Sequence, residues 1–216
     1  MGSLREATGC KILLDRRLDP ERPLSIALQD ADAFAVVEAV AERNCWSTTR
    51  IAELMYLGPA DASGELQALI ALRNNDVAGL PTGRRSRYLR QQAISWPRLT
   101  EPRSLLVRVA ADAHLQVKNA KLVAHDLWPA GASPELPVVE QLSLLLIGFD
   151  MTFRIEEGGH ALRLLPIERP VEFSRQYELP ADKLPTDLQQ VLSNAELQVD
   201  GRRVTLRGEW HHHQQL

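Results

Sequence analysis

Cysteine is nearly missing from this sequence: Cys10 and Cys45 are the only two among 216 residues. Two thiols exclude a disulfide framework and a four-cysteine zinc site within one chain. Their spacing leaves two readings open, a pair of half-buried free thiols or a single Cys10–Cys45 disulfide. Long apolar runs are missing too. The longest, Leu142 to Ile147, is interrupted by Ser143 and falls far short of the roughly 20 residues a membrane span needs, so no membrane insertion is expected. There is no basic excess either. A formal charge of −3 gives nucleic acid and acidic membranes no global attraction, so any basic site must be local. Catalytic signatures are equally scarce: no Gly-x-Ser-x-Gly elbow occurs, and Gly158-Gly159 lacks both the third glycine and the following helix of a phosphate loop. Neither cofactor nor metal is expected, and the chain reads as a non-enzyme.

What is present is a succession of short amphipathic elements. Leu4 to Thr8 followed by Gly9 reads as the last turn of a helix with its C-terminal glycine, so the sequence is expected to begin inside an element. Met1, Gly2 and Ser3 are followed by no charged and apolar leader pattern. Cys10 to Asp15 and Leu24 to Leu28 alternate as strands, with Asp19, Pro20 and Pro23 supplying the turn between them. Ala33 to Arg43 places Ala33, Val36, Val37, Val40 and Ala41 on one helical face. Met55 to Leu57 closes the unit before Gly58 and Pro59. The order returns with a helix from Pro102 to Ala113, for which Thr100 is the expected N-cap, then a strand at Leu115 and Val117. Val138, Leu142, Leu145, Leu146 and Phe149 form a helical stripe. Met151 to Ile155 and Ala161 to Leu165 then flank Glu156, Glu157 and two glycines as a hairpin.

Val36 follows Ile12 by 24 residues and Val138 follows Leu115 by 23, so the two stretches keep one register and predict an internal duplication. A third unit alternates at Val171, Phe173, Arg175 and Tyr177, shows a helical face at Leu184, Leu188, Val191 and Leu192, and carries Asp200-Gly201 as its hairpin turn. A new helix is expected from Gly208 to Leu216. Between the first two units, Leu66 to Arg73 and Arg84 to Ile94 predict two helices. The expected fold is α+β: tandem small βαββ-type modules with a helical hairpin spacer. The boundaries are a first module at 1–59, the spacer at 60–100, a second module at 101–168 and a third small unit at 169–216.

Helix end with glycine, strand, turn, strand, amphipathic helix and closing hairpin: this order resembles the short N-terminal domain shared by secretins and TonB-dependent outer-membrane transducers. The stretch from Leu136 to Leu165 (LPVVEQLSLLLIGFDMTFRIEEGGHALRLL) carries the resemblance best. The third unit, with Val204 to Gly208 entering a helix, is similar to the small ring-forming modules of secretins. Two departures stand out: the first unit lacks its opening strand, and His125-Asp126-Leu127-Trp128-Pro129-Ala130 replaces the expected second strand of the second. The resemblance implies a non-catalytic docking or signalling fragment in the periplasm or cell envelope, with a protein partner and no nucleic acid.

The expected contact surface is a sheet edge or the adjoining helix face, because sheets of few strands leave unpaired N–H and C=O groups. Leu162, Arg163 and Leu164 on the closing strand, with Val138 and Val139 on the helix, are its candidate residues. The alternative is a nucleic-acid-binding helix at Arg84 to Arg90, where Arg84, Arg85, Arg87 and Arg90 interleave with Tyr88 and Arg98 and Arg103 extend the cluster. A third reading takes His125 and Asp126 with Ser133 or Ser143 as a hydrolase site, though neighbours in a chain seldom face each other. His211-His212-His213 lacks the i, i+4 spacing of metal ligands and reads as a solvated helix start. Glu156-Glu157 reads as a charged hairpin tip.

Overall fold

The computed structural model describes residues 11–24, 31–178, 192 and 194–216. The helical end expected at 4–8, all but Leu24 of the strand at 24–28, and all but Leu192 of the helical face at 184–192 lie outside the described residues. The fold is α+β. In the first unit, β1 (Lys11–Leu14), α1 (Ala33–Arg43), β2 (Ser47–Ile51) and β3 (Leu54–Gly58) give a sheet of order β1-β3-β2, with β1 parallel and β2 antiparallel to β3. α1 starts where the Asp32 carboxylate accepts from the Phe34 and Ala35 N–H groups, satisfying two donors that a helix start leaves orphaned. It stops where Cys45 turns left-handed (φ 56°) and the Trp46 N–H reaches back to the Ala41 carbonyl. Between these ends Val37, Val40 and Ala41 pack on Ile12, Met55 and Leu57.

The segment expected as a helical spacer contains α2 (Ala62–Ala78), α3 (Thr82–Leu89) and a strand, β4 (Gln91–Trp96). The helix expected to run from Arg84 to Ile94 therefore ends five residues early. From Gln91 the residues alternate between solvent and interior, ending on buried Trp96, which is a period of two and not of a helix. Then come α4 (Pro102–Asp112), β5 (Gln116–Lys118), a 3₁₀ turn at Ala120–Leu122, β6 (Gly131–Pro137), α5 (Val138–Ile147), β7 (Met151–Glu156) and β8 (Ala161–Pro166). Glu101, not Thr100, occupies the N-cap of α4; the Thr100 hydroxyl donates to the Pro97 carbonyl. β4 pairs antiparallel with β6, and β5-β8-β7 forms a second mixed sheet with β5 parallel and β7 antiparallel to β8. Strand order and directions thus repeat those of β1-β3-β2. α4 also ends as α1 does, with His114 left-handed and Leu115 bonded to the Ala110 carbonyl.

The third unit is an antiparallel sheet of order β10-β11-β9, built from β9 (Phe173–Glu178), β10 (Glu196–Asp200) and β11 (Arg203–Gly208), and followed by α6 (Trp210–His213). α2 holds the units together. Its Leu66, Leu69 and Ile70 share one core with Ile51, Leu54 and Tyr56 of the first unit, Leu144 and Ile147 of α5, and Phe173 of β9. Its polar side chains reach the same neighbours: Gln67 Nε2 donates to Thr49 Oγ1 (2.6 Å), Arg73 to the Phe153 carbonyl, and Asn75 Nδ2 to the Ser174 carbonyl (2.9 Å). A helix with apolar contacts on several sides is an interior element, not a linker.

Candidate partner-binding site

The residues expected to face a partner are interior. β8 is the middle strand of its sheet, bonded to β5 on one side and β7 on the other, so it has no free edge. Leu162 and Leu164 are each 1% exposed, and Val138 and Val139 are wholly buried. Arg163 alone lies on the outer sheet face, where its Nε donates to Glu156 Oε1 at 2.7 Å. The hairpin alone would have left β8 at an edge. The parallel partner β5, from far upstream, fills that position.

Much of the arginine cluster is engaged by its own fold, while Arg90 and Arg98 are exposed. Arg85 donates to the Ala78 and Leu80 carbonyls at the end of α2, Arg87 to the His114 carbonyl, and Arg103 to the Val123 carbonyl. Arg84 meets the His160 ring at 2.5 Å. Tyr88, the aromatic that would stack on a base, is fully buried, and burial pushes its hydroxyl up to about 12.

His125 and Asp126 do not converge with a serine. The exposed imidazole lies 3.9 Å from Glu101, while Asp126 takes Arg16 Nε at 2.8 Å, the Leu127 N–H at 2.9 Å and Trp128 Nε1 at 3.2 Å. Burial raises the Asp126 pKa, but these donors outweigh it and hold the carboxyl below its ordinary value. The hydroxyls of Ser133 and Ser143 donate to the Pro134 and Val139 carbonyls. Trp128 packs between Trp96 and Phe149, with ring centroids 5.9 and 6.2 Å away.

The histidine run is not a solvated start. His212 and His213 are both buried, and His213 stacks on Phe173 at 3.8 Å while its ring nitrogens face the Tyr177 hydroxyl and the Phe173 and Gly208 carbonyls. Among the described residues no three His, Cys, Asp or Glu side chains group as metal ligands. Glu156 is drawn down by its hydrogen bond from Arg163, with Lys118 and Arg154 adding to the effect, and Glu157 pairs with Lys118. Cys45 is exposed, and the question of its pairing with Cys10 lies outside the described residues.

Sheet edges sort the remaining surface. The outward Phe153 carbonyl of β7 is taken by Arg73 and the Ser174 carbonyl of β9 by Asn75, so α2 occupies one acceptor on each of these edges. β2 differs. It is the terminal strand of β1-β3-β2, and its hairpin turns on two residues, Ala52 and Glu53, so Ile51, Thr49 and Ser47 bond inward to β3. The main-chain groups of Thr48 and Arg50 therefore point outward, and no strand among the described residues pairs with them. A cleft of about 640 Å³ runs along this edge, walled by Thr48 and Thr49, the start of α2 at Asp61, the Arg169-Pro170 step, and Glu209 and Trp210. Within it Glu65 holds Arg169 through both carboxylate oxygens, at 2.5 and 3.0 Å. A larger hollow of about 760 Å³, between α2, the outer face of β7 and the third unit, is lined by mutually paired charges such as Arg73–Asp76 and Arg154–Glu156.

The β2 edge escaped the sequence reading because Ser47 to Arg50 is polar throughout. The signal that could have found it is the β-branched pair Thr48-Thr49 leading to Ile51. No protein-family model matches this chain, and no curated protein matches it.

Proposed function

We propose that the chain is a non-enzymatic docking module that takes a segment of a protein partner as an added strand on β2. One observation carries this reading: no strand among the described residues pairs with the outward N–H and C=O groups of Thr48 and Arg50, and Thr48 lines a cleft large enough for an extended peptide. Strand addition supplies affinity through main-chain hydrogen bonds, and the cleft walls supply selectivity. Extracytoplasmic signalling is the setting proposed with it, since helix, strand, strand, helix and hairpin from α4 to β8 follow the order on which the resemblance to secretin and TonB short domains rests. β6 holds the place of a second strand in that order, but it pairs with β4 in a separate two-stranded sheet, so the departure from the family pattern at 125–130 stands. Against a nucleic-acid role stand the engaged guanidinium groups of Arg84, Arg85 and Arg87 and the burial of Tyr88.

Hydrogen-exchange mapping of the full chain mixed with an envelope extract tests the reading. Protection is expected at the Thr48 and Arg50 amides, and Thr48→Pro, which removes an edge donor, is expected to abolish it. A footprint confined to Arg84–Arg90, or to the exposed Leu122 and Leu127, would place the contact elsewhere.

A further inference from the structure

Resting on that reading, the charge around the β2 cleft identifies the class of strand it takes. Three carboxylates line the cleft, on Asp61, Glu65 and Glu209, with one guanidinium, Arg169. Glu65 and Arg169 neutralise each other, and Arg169 also holds Asp150 at 2.7 Å. Asp61 is exposed and sits in the left-handed region (φ 66°); its backbone carbonyl accepts the Glu65 N–H, but its side chain makes no cap hydrogen bond to the helix it precedes. The Glu209 carboxylate accepts the His212 N–H as the cap of α6, which keeps its charge in place at the cleft wall. Trp210, one face stacked on Phe173 at 6.1 Å, stands beside it. Among the described residues neither Asp61 nor Glu209 pairs with a cationic side chain, and two such charges beside an indole at this strand edge match an ammonium or guanidinium on an apolar stem.

We propose that the partner segment is an extended peptide bearing a lysine or arginine, whose cation is seated by Asp61 and Glu209 and whose stem lies along Trp210 while its backbone pairs with Thr48 and Arg50. A neutral strand would use only the main-chain bonds, and an acidic one would meet like charge, so the carboxylates act mainly on selectivity.

Two blocked synthetic peptides of about eight residues, the length of an ordinary strand, test this against the full chain by amide NMR. One alternates valine with lysine and the other valine with glutamate. The valine–lysine peptide is expected to shift the Thr48 and Arg50 amides and to bind more weakly as salt rises. Asp61→Asn, which tolerates the left-handed backbone, combined with Glu209→Gln, which keeps the cap acceptor, is expected to weaken it about fivefold, in the range of two exposed charge pairs. If the glutamate peptide shifts the same amides as strongly, strand addition stands and the cationic specificity is overturned. If neither peptide moves Thr48 or Arg50, the edge reading itself falls. Lysine-peptide binding centred on Glu156 and Glu157 instead would overturn the assignment of the cation to this cleft.

Discussion

Arg73 occupies an interior that ordinarily rejects a guanidinium. Burial lowers its pKa, Asp76 opposes that, and Arg154 adds to it; its Nε faces Asp76 at 3.3 Å without hydrogen-bond alignment. What it supplies is a donor to the Phe153 carbonyl on the outer side of β7. Arg73→Ala orphans that carbonyl, and an expected loss of about 1–3 kcal/mol follows from leaving a buried acceptor unmade. Arg73→Met refills the volume and leaves the same orphan, so its urea midpoint is expected below that of the parent chain; equal stability would show that the bond carries nothing. His213 sets a pH dependence. Burial lowers its pKa below the ordinary 6.5, and the Phe173 and Gly208 carbonyls only partly offset this. A group depressed in the folded state binds more protons when unfolded, so its contribution is full above about 6.5 and is lost as pH falls through the folded value. His212 shifts the same way. Amide exchange in β9 and β11 is expected to speed up on acidification through this window, and His213→Gln is expected to flatten that response.

α2 separates what a sequence shows from what it withholds. Its leucine spacing identified a helix, but only tertiary placement reveals that Leu66 is wholly buried among three units. Leu66→Ala is therefore expected to cost about 2–5 kcal/mol, as core leucine truncations do, where a spacer residue would cost about 0.5 kcal/mol or less; urea unfolding distinguishes the two. The same limit explains the strands. Lys11–Leu14, the 151–166 hairpin and the Asp200-Gly201 turn were legible because alternation and turn residues are local properties. β6 was not: GASPELP contains two prolines and a glycine, and it extends because β4 lies opposite, in a two-stranded sheet whose edges tolerate proline. Gly131 lets it approach closely, since a Cβ there would lie 2.5 Å from the Trp96 ring. β8 is legible as a strand, but whether it lies at an edge or inside its sheet is not. Position within a sheet depends on a partner 45 residues away, Gln116 against Ala161, and no local pattern encodes it.

At the scale of the molecule, beads joined by a spacer would unfold one at a time, whereas units sharing a core unfold together. All five residues of β3 are buried, because α1 covers one face of its sheet while α2 and α5 cover the other. An ion-pair relay crosses the same junction: Arg17 binds Asp15 and Asp150, Asp150 binds Arg169, and Arg169 binds Glu65. Apart from the Arg17–Asp15 pair, whose carboxylate is buried, these pairs are partly exposed and contribute little each, so the apolar contacts set most of the coupling. The first unit cut away at residue 59 would expose Leu54 and Tyr56 and retain too small a core, and it is expected to show no dispersed amide spectrum alone. The four tryptophans give the test in the whole chain: Trp46 reports the first unit, Trp96 and Trp128 the second, and Trp210 the third. With fluorotryptophan labelling, the Trp46, Trp96 and Trp128 resonances are expected to lose their folded positions at one urea midpoint, as a single cooperative transition requires. The third unit has its own small core of Leu192, Val204 and Leu206 and depends on the buried His213, so below the histidine window Trp210 is expected to depart first. A Trp46 midpoint well below that of Trp96 would mean that α2 transmits no stability between the modules, and the fold would then be a string of independent units after all.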